Sequence, residues 1–491
     1  DASSIIDYKR EILDFNFKTL SNFSDFGFNN PGQTTTNNNF LDRNSLKLFN
    51  KVILDYDNSI KLTLSNNSYT SSLLTKDHWF NPGFNLFWSI TSSFYGLKYS
   101  EGLNYWTFSI GYGKNVNDIP LYYSNLAHNS LTILPEQSLS YTTNQDLFAH
   151  SNLQIERVKN FEIETQAKFF QNRLSLGINY HNSKNYNNVF PVVTNSIFEL
   201  QNIADIENQG FEASLSFDSF EWSSDSFQHN IGFVFSRNET KVIALNSDNS
   251  IIPIAGFASV SNSLIEGLPA GMIVGTAYER NDQGELVIDS NGFPLVSNNL
   301  KILGDPTPDF KLGITNSFRY KNLSLNIDLD IQKGGDVWNG TQNVLNYHGV
   351  SQESANQRNI KNYVFNGVTT SGAINTTPVD FANPNQSVFE NRWVQYGYGG
   401  VAEDAIEDAS YLNIKSIRLT YKLFENNYRD SRIKFFNQIA ITLFADNLFT
   451  FSKFNGANPY SSLFDTNSGN SLNYFNSPLQ SRVGFKIHIK I

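Results

Sequence analysis

Arg482-Val483-Gly484-Phe485-Lys486-Ile487-His488-Ile489-Lys490-Ile491 is the stretch whose reading decides the fold. Val483, Phe485, Ile487, Ile489 and Ile491 are apolar, and the residues between them are charged, polar or small. This is the strict period of two of a β-strand with one greasy and one wet face. In a soluble sandwich the apolar face turns inward. In an outer-membrane barrel it faces lipid, and the polar face lines an aqueous lumen.

The same alternation recurs upstream and predicts about fourteen strands. Residues 8–20 carry Leu13, Phe15 and Phe17. Residues 44–56 turn at Asp57-Asn58 into Ile60, Leu62 and Leu64, a tight hairpin. Phe84, Leu86, Trp88 and Ile90 follow, then Trp106, Phe108, Ile110 and Tyr112 alternating with small residues. Residues 161–169 and 174–180 form a hairpin about Gln171-Asn172. Phe211, Leu215 and Phe217 are answered by Ile231, Phe233 and Phe235. Phe310 to Tyr320 turns at Lys321-Asn322 into Leu323, Leu325, Ile327, Leu329 and Ile331, and the last three strands run near 411–423, 435–447 and 482–491. Opposite Ile327 and Leu329 lie Asp328 and Asp330. Carboxylates in hydrocarbon would each cost on the order of 1–2 kcal/mol, so that face is expected to be wet. The expected lumen-facing set is Arg319, Asp328, Asp330, Arg418 and Lys422, with Ile417, Leu419 and Tyr421 on lipid.

Connections alternate in length. Short ones fall near 57–58, 93–103, 171–172, 221–226, 321–322 and 424–434. Long ones fall near 21–43, 70–81, 115–157, 186–208, 239–308, 335–410 and 448–481. Barrels of this kind have short periplasmic turns and long extracellular loops, so 171–172 and 321–322 are expected in the periplasm and 239–308 and 335–410 outside. These two loops have about 70 residues each, far beyond the roughly 12–15 at which structureless connections become uncommon, so they are expected to be folded. Their apolar stretches 251–257 and 363–365 call for a partner surface or for packing of loop on loop.

Composition narrows the alternatives. With 41 Phe, 23 Tyr and a net charge of -10, the chain of 491 residues is aromatic-rich at a mean hydropathy of -0.35. No run approaches the roughly 20 apolar residues of a transmembrane helix, which a barrel does not need. With Cys 0 there is neither a disulfide framework nor a thiolate metal site. No basic patch suggests nucleic acid. The sequence opens at Asp1, with Met272 its only methionine, and reads as processed or partial.

Several segments then resemble one family in the right order. They are Asn152-Leu153-Gln154-Ile155-Glu156, the stretch from Asn202 to Glu212 (NIADIENQGFE), Glu266-Gly267-Leu268-Pro269, residues 304–310 (GDPTPDF), 332–339 (QKGGDVWN), 407–412 (EDASYL) and Asp446-Asn447-Leu448-Phe449-Thr450. Together they resemble SusC-like TonB-dependent outer-membrane transporters, the RagA/SusC family. The resemblance implies an all-β, antiparallel up-and-down barrel of about 22 strands. Residues 1–491 would be its C-terminal portion, with the N-terminal strands, plug domain and TonB-contacting segment not represented. It also implies TonB-dependent uptake of oligosaccharides, glycans or peptides with a SusD-like surface lipoprotein, in the outer membrane of a Gram-negative bacterium and among its lipids. The alternative is a non-transporting barrel subunit of a larger envelope complex, such as secretion or barrel-insertion machinery, and a third reading is a secreted adhesin.

Chemistry is sparse. His78, His128, His150, His181, His229, His348 and His488 show no ligand spacing. Asn281-Asp282-Gln283-Gly284-Glu285 and Asp289-Ser290-Asn291-Gly292 lack the EF-hand order and read as two β-turns. Gly334-Gly335 and Gly399-Gly400 lack a P-loop lysine. No nucleophile, base and orienting group stand together, so a non-enzyme without cofactor or metal is expected. Trp338, Tyr347, Tyr396 and Tyr398 are the candidate substrate-stacking aromatics of the loops.

Overall fold

The computed structural model describes residues 2–20, 34–72, 79–98, 100–118, 148–149, 153–194, 197–218, 227–247, 250–425, 438–464, 469 and 471–490. His78, His128, His150, Asn152, the connection 221–226, residues 426–434, all of 21–33 and most of 119–152 lie outside the described residues.

All fourteen expected segments are strands: β1 Ala2–Leu20, β2 Thr34–Tyr56, β3 Ile60–Ser71, β4 Pro82–Ser89, β5 Leu103–Asn117, β6 Glu156–Phe169, β7 Leu174–Thr194, β8 Ile197–Asp218, β9 Gln228–Leu245, β10 Phe310–Tyr320, β11 Leu323–Lys333, β12 Tyr411–Glu425, β13 Gln438–Ser452 and β14 Arg482–Lys490. Each pairs antiparallel with the next in chain order, an up-and-down sheet, with Phe148–Ala149 added alongside β8. Tight turns set the register. Asp57 and Asn58 both adopt positive φ (50° and 52°), as do Phe170, Gln171 and Asn172 (53°, 59° and 66°), the left-handed conformation with which these short loops reverse the chain.

Cross-strand pairing then gathers the apolar residues onto one surface. Leu54, Leu62, Leu86, Ile110, Ile163, Tyr180 and Phe211 stand opposite one another across seven strands. Leu325, Leu419, Leu443 and Phe485 do so across the last four. The other surface is polar and small, as in the row Thr63, Asn85, Gly111, Glu162, His181, Gly210 and Asn238. Gly210 is required there, because a Cβ would collide with the His181 ring. An exposed apolar face of this extent demands an apolar solvent.

Three expectations change. Residues 186–194 and 197–208 are ladder rather than loop: β7 continues to Thr194 and β8 starts at Ile197. The alternation fails there because the register slips between Asn185 and Val189. Asparagine side chains secure that bulge, with Asn202 Nδ2 donating to the Asn187 carbonyl (2.6 Å) and Asp205 accepting from the Asn187 N–H (2.8 Å). Residues 34–43 likewise belong to β2. Two helical turns, Ile90–Ser93 and Tyr95–Lys98, occupy much of the β4–β5 connection.

The long loops are folded, as expected, and they pack together into a cap. Residues 250–309 build a four-stranded sheet from Ile252–Phe257, Val260–Leu264, Met272–Gly275 and Lys301–Gly304. Residues 334–410 supply Asp336–Asn339, flanked by Ile406–Asp408 and by Leu472–Asn473 of the last long loop. Val287–Ile288 pairs in parallel with Val368–Thr369, tying the first two loops together. Helices α1, Gly340–Tyr347, and α2, Gln352–Gln357, are N-capped by the Asn339 and Ser351 side chains. Ile252 is buried against Leu264 and Val242, and Phe257 packs on Trp338 and Tyr474. Phe365 stacks on Phe381 at 5.7 Å, while Tyr363 and Val364 stay partly exposed. Packing of loop on loop therefore hides much of the apolar sequence that had called for a partner.

Candidate functional site

The polar surface of β10–β14 carries a charge ladder. Pairing puts Arg319 with Ser324, Asp328 with Ser416, Asp330 with Asn413, and Lys422 with Ala440, all on the side away from Ile327, Leu329, Ile417, Leu419 and Tyr421. Arg418 lies 3.5 Å from Asp328 and 3.4 Å from Asp446, and Arg482 grips Asp446 at 2.6 Å. Acid and base thus alternate from β11 to β14. The Ser416 hydroxyl donates to Asp328 (2.5 Å) and the Tyr411 hydroxyl to Asp330 (3.1 Å). These pairs are half-exposed, so each contributes at most about 1 kcal/mol; they fix geometry more than stability. Asp446 and Arg482 were not in the expected lumen-facing set, since only the register brings them together.

Farther along the same surface, Ser175, Gly177 and Ser214 are small enough to leave an open hollow of about 350 Å³ over β6–β9. Glu164, Gln166, Lys168, Asn179 and Glu212 line it, offering donors and acceptors to a polar guest. Among the described residues, no group of three or more His, Asp or Glu side chains is placed to hold a metal ion.

In the cap, Arg392 is a buried centre. It donates to the Tyr278 hydroxyl (3.0 Å), lies 3.5 Å from Asp404, and sits over the rings of Trp393 (4.6 Å) and Tyr396 (5.2 Å). The Tyr278 hydroxyl donates to Asp404 (2.6 Å) and that of Tyr396 to the Pro294 carbonyl (2.9 Å). Burial pushes both phenols above their ordinary range, keeping them protonated donors. Burial also raises the Asp404 carboxyl, against the opposing pull of Arg392.

The four loop aromatics separate. Trp338 is a core residue of the cap, 3% exposed, stacked parallel to Tyr474 and closed over by Gly340. That corrects its expected role as an open stacking platform. Tyr396 belongs to the Arg392 cluster. Tyr347 and Tyr398 do come together, edge to face at 5.7 Å, with His348 against both rings. All but the exposed His348 are half-buried. A hydrogen bond to Tyr398 helps burial push the Tyr474 phenol up to about 12. The segments 281–285 and 289–292 are turns, closed by Gly284 and Gly292 at positive φ (83° and 89°) donating to the Asn281 and Asp289 carbonyls.

No protein-family model matches the sequence. Among curated proteins it is similar to TonB-dependent receptor P3 of Formosa agariphila, 25% identical over 457 residues, covering 87% of this chain and 43% of that protein. It is also similar to TonB-dependent receptor P26 of the same organism, 23% identical over 483 residues, 90% of this chain and 46% of that protein. The chain therefore spans about half the length of these relatives. Among solved structures, the RagAB peptide importer in its closed-closed state superposes with a TM-score of 0.67 at 16% identity, over 99% of this chain and 53% of that one. Its open-open state gives 0.67 at 15% identity, over 100% and 52%. The resemblance to TonB-dependent receptors holds, and the fold is that of an outer-membrane β-barrel.

Proposed function

We propose that residues 1–491 form the C-terminal portion of a barrel that imports oligosaccharides, glycans or peptides in a TonB-dependent cycle, with a SusD-like lipoprotein seated on the cap. The observation that carries this reading is the division of one continuous sheet into an apolar surface and a charged, polar one beneath a cap folded from the long connections. On this reading the apolar surface faces lipid, and Arg319, Asp328, Asp330, Arg418 and Lys422 face a lumen through which a polar solute passes. The relatives named as TonB-dependent receptors support the energy coupling, and the fold shared with a peptide importer supports import. Val350, Ile374, Val388 and Phe389 of the cap are exposed apolar residues open to contact with such a lipoprotein.

The test is uptake of labelled oligosaccharides and peptides by cells with and without the gene, and with and without TonB, together with mild-detergent purification of the native protein. Uptake lost in both deletions, and a lipoprotein co-purifying in near-equal amount, are the expected results. Unchanged uptake with defective envelope assembly would turn the reading to a scaffold subunit.

A further inference from the structure

Above the apolar belt, on its outward surface, lies a row of cations that the import reading leaves unused. Lys114, Lys159, Lys184, Glu207 and Lys241 stand directly opposite one another in β5, β6, β7, β8 and β9. Each shares the face of an apolar or aromatic residue lower on its own strand: Tyr112, Phe161, Tyr180, Phe211 and Phe235. Arg157, one step above Lys159, and Arg237, opposite Phe211, extend the patch. The row lies toward the long-connection end of every strand concerned, since the β6–β7 turn at 170–173 is at the other end.

The charges are poorly balanced from within. Lys184 pairs with Glu207 at 3.2 Å, and Glu239 is the other acid on this face. Asp205 is committed to the Asn187 N–H. Lys114, Arg157, Lys159, Arg237 and Lys241 are exposed and make no ion pair among the described residues. Neighbouring strands are only about 4.8 Å apart, so Lys114 beside Lys159 beside Lys184 sets three like charges side by side, an arrangement that destabilises a bare sheet. Tyr186 receives Lys159 at 4.6 Å and Arg157 at 5.8 Å, which orients these two heads without neutralising them.

We propose that this patch binds the phosphate groups of a phosphorylated glycolipid of the outer leaflet, the lipid A moiety of lipopolysaccharide. The lysines take the phosphates at the headgroup level, and Tyr112, Phe161, Ile110 and Ile163 lie along its acyl chains. On β5 and β6, Lys114 and Lys159 stand two residues beyond Tyr112 and Phe161, at the level where a lipid changes from hydrocarbon to phosphate. The proposal rests on the outer-membrane orientation given above.

The experiment uses the full native protein extracted in mild detergent, with bound phosphorylated glycolipid measured by mass spectrometry. Recapture onto phosphatidylcholine vesicles with lipid A, or with dephosphorylated lipid A, is measured alongside. Lys114→Gln/Arg157→Gln/Lys159→Gln is expected to lower bound glycolipid roughly tenfold or more. Lys486→Gln, on the opposite surface, should leave it unchanged, and Lys114→Arg/Lys159→Arg, which keeps the charge, should retain it. Retention by the triple variant, equal capture by dephosphorylated lipid A, or full displacement by millimolar inorganic phosphate would overturn the proposal. An epitope at Lys321 separates the two readings: labelling in intact cells refutes the orientation itself, whereas a protected epitope with undiminished glycolipid refutes only the patch.

Discussion

In β14, Val483, Phe485 and Ile487 are 75%, 69% and 54% exposed, whereas Val260, Ile273 and Leu472 in the cap are fully buried. Both regions are built from strands, yet the sheet turns its apolar residues out, whereas the cap buries whole strands such as Val260–Leu264 and Met272–Gly275. The sheet has lipid for a solvent and needs no second layer against its outer surface. The cap is a small fold of three loops whose core also draws in Ile203, Ile206 and Val242 from the ends of β8 and β9. Alternation therefore reports a strand, and only the wider context reports which way the strand faces.

Five substitutions break or sharpen that contrast. Trp338→Ala removes the largest ring of the cap core and should cost about 3–5 kcal/mol there. Protease should then cut the cap while the sheet keeps its resistance to detergent unfolding; loss of both together would mean that the two regions fold as one. Leu329→Arg puts a cation on the outward surface, at about 2–4 kcal/mol near mid-membrane. Asp328→Asn, one residue away on the other surface, should assemble almost normally, and equal defects in membrane-assembly assays would reject the register.

Tyr278→Phe deletes the donor to Asp404 and should loosen the cap by about 1–3 kcal/mol, read as faster amide exchange at 276–294 and 392–404. The same carboxyl gives a pH sign. Its folded value lies above the ordinary one, so the folded cap holds a proton that the unfolded chain has released. This contribution is present at low pH and is lost as pH rises through the folded value; exchange in these segments should quicken across that window. Smallest of all, Arg418→Gln should shift thermal unfolding by under about 1 kcal/mol, since its partners are half-exposed.

Most of the sheet was legible because lipid selects residues one at a time along a strand. Strand edges blurred where the asparagines of 185–188 replaced alternation with a bulge. Parity alone assigned Arg319, Asp328, Asp330, Arg418 and Lys422 to one surface. It could not show that Arg418 shares Asp446 with Arg482, because that depends on which residues of three strands lie opposite one another. The Arg392 cluster left no local trace: Tyr278 lies 114 residues from its guanidinium partner. Trp338 misled because a conspicuous aromatic in a long loop looks the same in sequence whether it faces a solute or a core.

Asn262, fully buried, donates through Nδ2 to the Ser471 hydroxyl across 209 residues of chain, and Leu472 closes the core around Trp338. The sheet can grow by adding neighbours one after another, but the cap has no such order open to it. Its core waits for Ser471 and Leu472, 209 residues after Asn262, so Val260, Ile273 and Trp338 stay uncovered until that segment is in place. That interval of sticky, unfinished surface is where a holding chaperone would be most needed, and where slow assembly would turn into aggregation.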